Sequence, residues 1–513
     1  MGKYPELVTY TLAKVGIDDH INSPNDITYE DNAYTQYLRR ILNVQNKNVF
    51  VTSDMKDYTK RIETMIGSGK ELPDVMQITD KKLLDRLVEE DLLEDLSQVY
   101  EECTSDVIKD MYESYGENFL KGYTYDGKLI GFPNSEVDHG TNLLWLRKDW
   151  MDDLRLDDPE TPEEAYEIIK IFAQSNPGGA AGGNIGLGFS LSDRESQIPS
   201  FSIQSVFGLS YAYPGAWVPD ENGDIIYGSV AENTKHGLAV IRDLYEEGVL
   251  DPSFMLRTPE NVLELIDSGA CGAVFGSWAM PYGYLQTSRE NQGADWQPYL
   301  LCNEDGYVTS PYRYDNISCI VVRKGYEHPE VVPKILTAIY DYSRNEGIED
   351  AAEINEYNST SGRWEVMPLV IDVNYKDNLR QITKQIEDVL EGRTAYEDAI
   401  VYIQDMADKC KYYLDNPDTS VYEWVTYASR IRAVDELCRV EIRYINEDYP
   451  ETRDIDIPSK LMNLEKETFI KIITGEEELD SFDDFVEEWY QSGGEELTRE
   501  VNSRRDKSDR GKK

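Results

Sequence analysis

Histidine is scarce in this chain. His20, His139, His236 and His328 are the four present, and none stands in a Ser/His/Asp or Cys/His pattern that would announce a nucleophile. The six cysteines (Cys103, Cys271, Cys302, Cys319, Cys410 and Cys438) form no CxxC pair, so the sequence carries no zinc signature. Free, buried thiols are the expectation for all six. No apolar run reaches the roughly eighteen residues that a membrane-spanning helix needs. Basic residues are also few. Lys and Arg number 51 against 98 Asp and Glu, a formal charge of −47. That excludes a nucleic-acid backbone as the main partner and disfavours an anionic membrane surface. It favours a neutral or cationic ligand.

Glycine loops are present, but not in a form that cradles phosphate. Gly122 to Lys128 (GYTYDGK) matches P-loop spacing as far as the lysine. Leu129 then replaces the hydroxyl residue, and a strand follows where the anion would need a helix N-terminus. A β-turn before a strand is the expectation. Gly178-Gly179 and Gly182-Gly183 follow a helix and lack dinucleotide-loop spacing, so a flexible loop is expected there. Glu136 and Asp138 flank a site next to His139. Among so many acids a carboxylate pair is commonplace, and a solvated loop is the competing reading to glycoside hydrolysis.

With 513 residues, of which 40% are apolar, the chain has material for at least two lobes. Tyr4 to Ala13 and Val49 to Thr52 are rich in strand formers. Ser53 or Asp54 caps a helix presenting Tyr58, Ile62, Met65 and Ile66 on one face, ending at Gly67. Pro73 blocks further helix, and Val75-Met76-Gln77-Ile78 reads as a strand. Strand, helix and strand in residues 49–78 form a βαβ unit, which requires a parallel sheet. Leu83, Leu84, Leu87 and Val88 mark another helix. Leu129–Phe132, Leu143–Leu146, Ala273–Phe275 and Ile317–Val322 read as strands. Thr161-Pro162-Glu163-Glu164 is a capping box with Pro at the first helical position. Leu238, Ile241, Leu244 and Tyr245 mark a helix ended by Gly248, and Thr258-Pro259-Glu260 opens another. From about residue 376 the spacing is helical, with a last strong helix from Ser481 to Gly493-Gly494. Residues 503–513 are charged and expected to be disordered. The fold class is α/β early and helical late. In such folds ligands gather beyond the carboxyl ends of strands, and with two lobes in the cleft between them.

The chain holds 36 tyrosines and 8 tryptophans, enough that some must line a wet surface as well as a core. Several cluster with polar residues where elements end. They are Tyr211, Tyr213 and Trp217; Trp278 with Tyr282 and Tyr284; Tyr312, Arg313 and Tyr314 beside Asp315 and Asn316; and Arg363-Trp364. Aromatic faces stack on the C–H face of a pyranose, and Asp, Asn and Arg bond its hydroxyls. Any one of these rings taken singly is equally suited to the core.

Stretches of the chain resemble a family: GSGKELPDV at 67–75, GKLIGFP at 127–133, LWLRKDWMDDL at 144–154 and TPEEAYEIIKIF at 161–172. YGSVAENTKHGLAVIRDLYEEGVLDPSF at 227–254 and ETFIKIITGEEELDSFDDFVEEWYQSGGEEL at 467–497 extend the likeness over nearly the whole chain. It resembles the extracellular solute-binding proteins of ABC transporters (family 1 type), in the large oligosaccharide-binding lipoprotein branch of Gram-positive bacteria. The resemblance implies a two-lobed, periplasmic-binding-protein-like fold with an interlobal cleft. Lobe one is expected at 1–141 with a return at 310–362. Lobe two is expected at 143–308 with the helical part 363–502, and 503–513 as a tail.

The implied activity is capture of an oligosaccharide without chemistry and delivery to the membrane permease subunits of an importer. A binding protein for peptides or another solute, and a carbohydrate-active enzyme, are the alternatives. The residues carried over as ligand-binding are Trp217, Trp278, Tyr282, Arg313, Tyr314 and Trp364, with Asn134, Glu136 and Asp138 from lobe one. No catalytic residue, cofactor or metal is expected. Many relatives carry an acidic loop of the type DPDGNGKKD that holds calcium. Here it reads NPGGAAGGN, with no carboxylate between Gln174 and Leu191. The family also carries a signal peptide and a lipid-modified cysteine ahead of the mature domain. Neither is in this sequence, so a trimmed, monomeric, extracellular domain without membrane insertion of its own is the expectation.

Overall fold

The computed structural model describes residues 2–16, 28–116, 119–135, 137–190, 201–302, 306–311, 318–344, 347, 349–354, 366–445, 452 and 455–511. The chain divides into two compact units. Unit one comprises Met1–Asp138 and Asp315–Asn378, and unit two His139–Tyr314 and Leu379–Lys513. The main sheets are built from β1 (Val8–Val15), β2 (Val44–Thr52), β3 (Val75–Ile78), β4 (Gly131–Pro133), β5 (Leu143–Arg147), β6 (Ile185–Gly188), β7 (Cys271–Gly276), β8 (Trp296–Tyr299) and β9 (Cys319–Val322).

In unit one the strand order is β2-β1-β3-β9-β4. β1 lies parallel to both β2 and β3, and β9 runs antiparallel to β3 and β4. The βαβ unit expected at 49–78 is therefore present, with β1 inserted between its two strands. Its helix is Met55–Ser68, capped by the Asp54 carboxylate, which accepts from the Asp57 amide at 2.8 Å. Tyr58 and Ile62 are the residues it buries. The helix runs past Gly67 and stops at Gly69, whose φ of 64° is the left-handed cap. The entry into β3 is fixed by Asp74. Its carboxylate accepts from the Thr11 amide (2.8 Å) and hydroxyl (2.7 Å) and from Arg323 (2.6 Å), so three donors neutralise a nearly buried charge. The stretch Leu129–Phe132 divides between a hairpin, Thr124–Tyr125 with Lys128–Leu129, and β4. Asp126 and Gly127 turn that hairpin with positive φ, the β-turn expected in place of a phosphate loop.

Unit two has the order β8-β5-β7-β6, with β6 and β7 parallel and β5 antiparallel to both its neighbours. Trp145 and Trp296 are fully buried on its strands. The helices Ser459–Ile473 and Ser481–Trp489 close one side of its core, where Trp489 stacks on Tyr227 at 5.1 Å between centroids. On another side Trp424, Val434 and Leu437 pack with Trp145 and Trp296.

Two boundaries differ from the sequence reading. Val366, Leu369, Ile371 and Val373 are buried in the core of unit one, so the return of the chain to unit two comes after Asn378 and not near 362. Residues 503–511, expected to be disordered, continue the helix Glu495–Gly511. Val501 is buried, and Asn502 both donates to the Ile225 carbonyl (2.8 Å) and accepts from its amide (2.9 Å). Glu495–Arg499 and Glu500–Arg504 pair one turn apart. Cys271, Cys319 and Cys410 are buried free thiols, whereas Cys103 and Cys302 are part-buried and Cys438 is exposed. Among the described residues no helix is long and apolar enough to cross a membrane.

Candidate functional site

The carboxyl end of β7 carries the part of unit two best built for a ligand. Beyond Gly276 the chain turns at once. Trp145 Nε1 donates to the Ser277 carbonyl at 3.2 Å, and the Met280 amide closes back on the same oxygen at 3.1 Å. A helix begins and then breaks: Tyr282 adopts ψ 103° and Gly283 φ 81°, before the helix Gln286–Gln292 takes over. A side chain at 283 would strain this turn. The break presents Tyr282, 38% exposed, where a regular helix would have continued inward.

Trp278 is the centre of the cluster. It is half-buried, with one side seated on the core that holds Trp145 and Trp424. Tyr282 meets it edge-on, with centroids 6.3 Å apart at 82°. The His139 ring lies 6.0 Å away, tilted by 38°. Over the indole sits the Arg430 guanidinium, its Cζ 4.4 Å from the ring centroid. Arg430 comes from a wide π-type turn, Ala428–Arg432, inside the helical run from Tyr422 to Arg439. Thr383 Oγ1 donates to the Arg430 carbonyl at 2.6 Å and holds that turn. Two irregular helical segments thus bring a ring and a cation together, and such irregularities concentrate at functional sites.

Polar groups flank the start of β5 in the same unit. Asn142 Nδ2 donates to Ser205 Oγ at 2.9 Å, while its Oδ1 is buried without a partner. Thr141 Oγ1 donates to Ser310 Oγ at 3.3 Å, and Tyr213 shares a hydrogen bond with Thr309. Burial pushes the Tyr213 phenol up to about 12, so it remains a neutral donor. These are hydroxyls and amides suited to hydroxyl-rich ligands. Among the described residues no group of three or more His, Cys, Asp or Glu is placed to hold a metal ion.

Of the residues singled out from sequence, Trp278 and Tyr282 come together. Trp217 does not join them. It is 5% exposed on the short strand Trp217–Pro219 and packs on Tyr227 in the core of unit two, so its ring serves packing. In unit one Asn134 is half-buried and occupied: its amide donates to the Ser318 carbonyl (2.8 Å) and its Oδ1 accepts from the Asp372 amide (2.7 Å). It pins residues 372–374 to the end of β4. Asp138 is half-buried and tied through its backbone to the Lys376 carbonyl at 2.7 Å. Glu136, Arg313, Tyr314 and Trp364 lie outside the described residues. Arg430 was missed, since helical spacing gives no reason to set one arginine apart from Arg432, two residues on.

No family model matches the chain. It is 22% identical over 400 residues to Lipoprotein LipO of Bacillus subtilis, covering 75% of this chain and 73% of that protein. It is 26% identical over 174 residues to the polygalacturonan/rhamnogalacturonan-binding protein YtcQ of the same organism, 34% of each chain. Among solved structures it superposes on an HMO-binding, ABC-transporter-associated solute-binding protein of Bifidobacterium longum infantis with a TM-score of 0.58 at 12% identity, covering 97% and 98% of the two chains. The fold is that of the two-domain solute-binding proteins.

Proposed function

We propose that this protein captures an oligosaccharide and delivers it unaltered to the permease of an ABC importer from the outer face of the cell membrane. The observation that carries the reading is the Trp278 platform, half-buried at the carboxyl end of β7 with Tyr282 set edge-on beside it. A rigid indole seated on a core loses little freedom on binding, and the part of its ring left open beside Arg430 offers an apolar surface to a sugar ring. Amide and hydroxyl groups such as those of Asn142 and Tyr213 supply the polar complement. The fold is shared with a protein named for the HMO it binds, and a 174-residue stretch is similar to a protein named for binding polygalacturonan and rhamnogalacturonan. The protein acts as a monomer, held at the membrane by a lipid anchor.

Isothermal titration with a panel of plant- and host-derived oligosaccharides tests the reading. At least one saccharide binds with 1:1 stoichiometry and raises the unfolding midpoint as a ligand of the native state must. Chromatography of the recovered ligand returns it intact. Binding of peptides but of no saccharide, or cleavage products in the recovered ligand, overturns it.

A further inference from the structure

Arg430 has contacts that a purely structural arginine would not need. Its guanidinium sits over the Trp278 indole, with Cζ 4.4 Å from the ring centroid. One terminal nitrogen donates to the hydroxyl of Tyr402, itself exposed, at a long 3.3 Å. Its Nε is buried and has no hydrogen-bond partner. No carboxylate of the described residues pairs with it, in a chain with 98 acidic residues. Its neighbour Arg432 shows the ordinary arrangement: Asp295 at 2.9 Å and the Tyr413 hydroxyl at 2.9 Å. A guanidinium fixed on an aromatic face keeps its N–H edge directed sideways, in a fork that fits a carboxylate. The terminal nitrogens, with one long bond to Tyr402 between them, are the donors that a ligand's acceptor can meet.

Resting on the capture reading above, we propose that the bound oligosaccharide is acidic, and that Arg430 is the residue that selects its uronate carboxylate. The sugar ring carrying that carboxylate packs beside the indole, and its carboxylate meets the N–H edge of the guanidinium. The net charge of −47 does not prevent this, because charges farther off than about 8 Å are largely screened at physiological ionic strength. The contact at Arg430 is local and partly desolvated.

The test uses galacturonic- and glucuronic-acid oligosaccharides of about four residues, each beside its own carboxyl-reduced, neutral counterpart. Titrated into the full chain, an acidic member binds at least tenfold more tightly than its counterpart. Arg430→Gln brings the acidic member down to the affinity of its neutral counterpart, and Arg430→Lys retains part of the preference. Three results overturn the proposal. The first is equal affinity for acidic and neutral members. The second is binding of neutral saccharides alone. The third is an equal loss for both in Arg430→Gln, which would mean that Arg430 only props Trp278. If no saccharide of either kind binds a folded protein, the capture reading itself fails.

Discussion

Trp278 is held from three sides by groups that differ in kind, and each can be removed separately. Trp278→Ala deletes the platform and costs about 1–3 kcal/mol of saccharide affinity. By titration that is a drop of roughly 5- to 150-fold, of which Trp278→Phe recovers most by restoring a ring. An unchanged affinity in Trp278→Ala would remove the ring from the site. A second residue reports on pH. Asp435, at the start of the helix Ala433–Arg439, has its carboxyl pushed up to about 6 by burial and by Glu387 and Glu436 nearby. Its pKa is raised in the folded state above the unfolded value near 4, so the folded state holds the proton more tightly. Its ionisation therefore costs stability as pH rises from about 4 to 6, and the cost persists above. Asp435→Asn raises the unfolding midpoint at pH 7.5 and leaves it unchanged at pH 4. A midpoint gain equal at both pH values would place its origin elsewhere.

At the scale of elements, the loop after the helix Pro162–Ser175 organises itself with amides. Asn176, left-handed at the helix C-cap, bonds both the carbonyl (3.2 Å) and the amide (3.1 Å) of Ala180. Asn184 accepts from the Gly178 amide at 3.2 Å and donates to the Gly269 carbonyl at 2.7 Å, which ties the loop to the segment entering β7. Two asparagines do locally what an ion does in an acidic loop. Asn184→Ala leaves the buried Gly269 carbonyl without its donor and lowers stability by about 1–3 kcal/mol, read by chemical denaturation. Added calcium leaves the midpoint of the unmodified protein where it was, and a stoichiometric calcium titration would refute this account of the loop. Elements with local chemistry of this kind were legible in the sequence. The capping box at Thr161, the helix start at Thr258, the strand Val75–Ile78 and the turn at Asp126-Gly127 follow from residues a few positions apart. What was illegible depends on distant partners. The C-terminal helix reads as a charged tail because Ile225, which fixes Asn502, is 277 residues away. Trp217 reads as a ligand ring because its packing on Tyr227 requires the hairpin that joins them. Arg430 is hidden by the π-type turn, which changes the helix face a residue occupies and breaks the spacing rule.

At the scale of the whole molecule the dominant quantity is the charge. Its sign argues for a neutral or cationic ligand, whereas Arg430 argues locally for an anion, and distance decides between them. The Debye length is about 30 Å at 10 mM salt and about 8 Å at 150 mM. In dilute salt an acidic oligosaccharide approaching Trp278 is repelled by carboxylates spread over the surface. At physiological salt it feels chiefly the groups it will touch. Its association rate should therefore rise about threefold from 10 to 150 mM salt, the reverse of an electrostatically steered encounter. The dissociation rate, governed by the short-range contact with Arg430, changes less. A carboxyl-reduced oligosaccharide shows a flat association rate over the same range. Stopped-flow tryptophan fluorescence separates the two rates directly. An association rate that falls with salt would show that a local positive field, and not the net charge, governs the approach of the ligand.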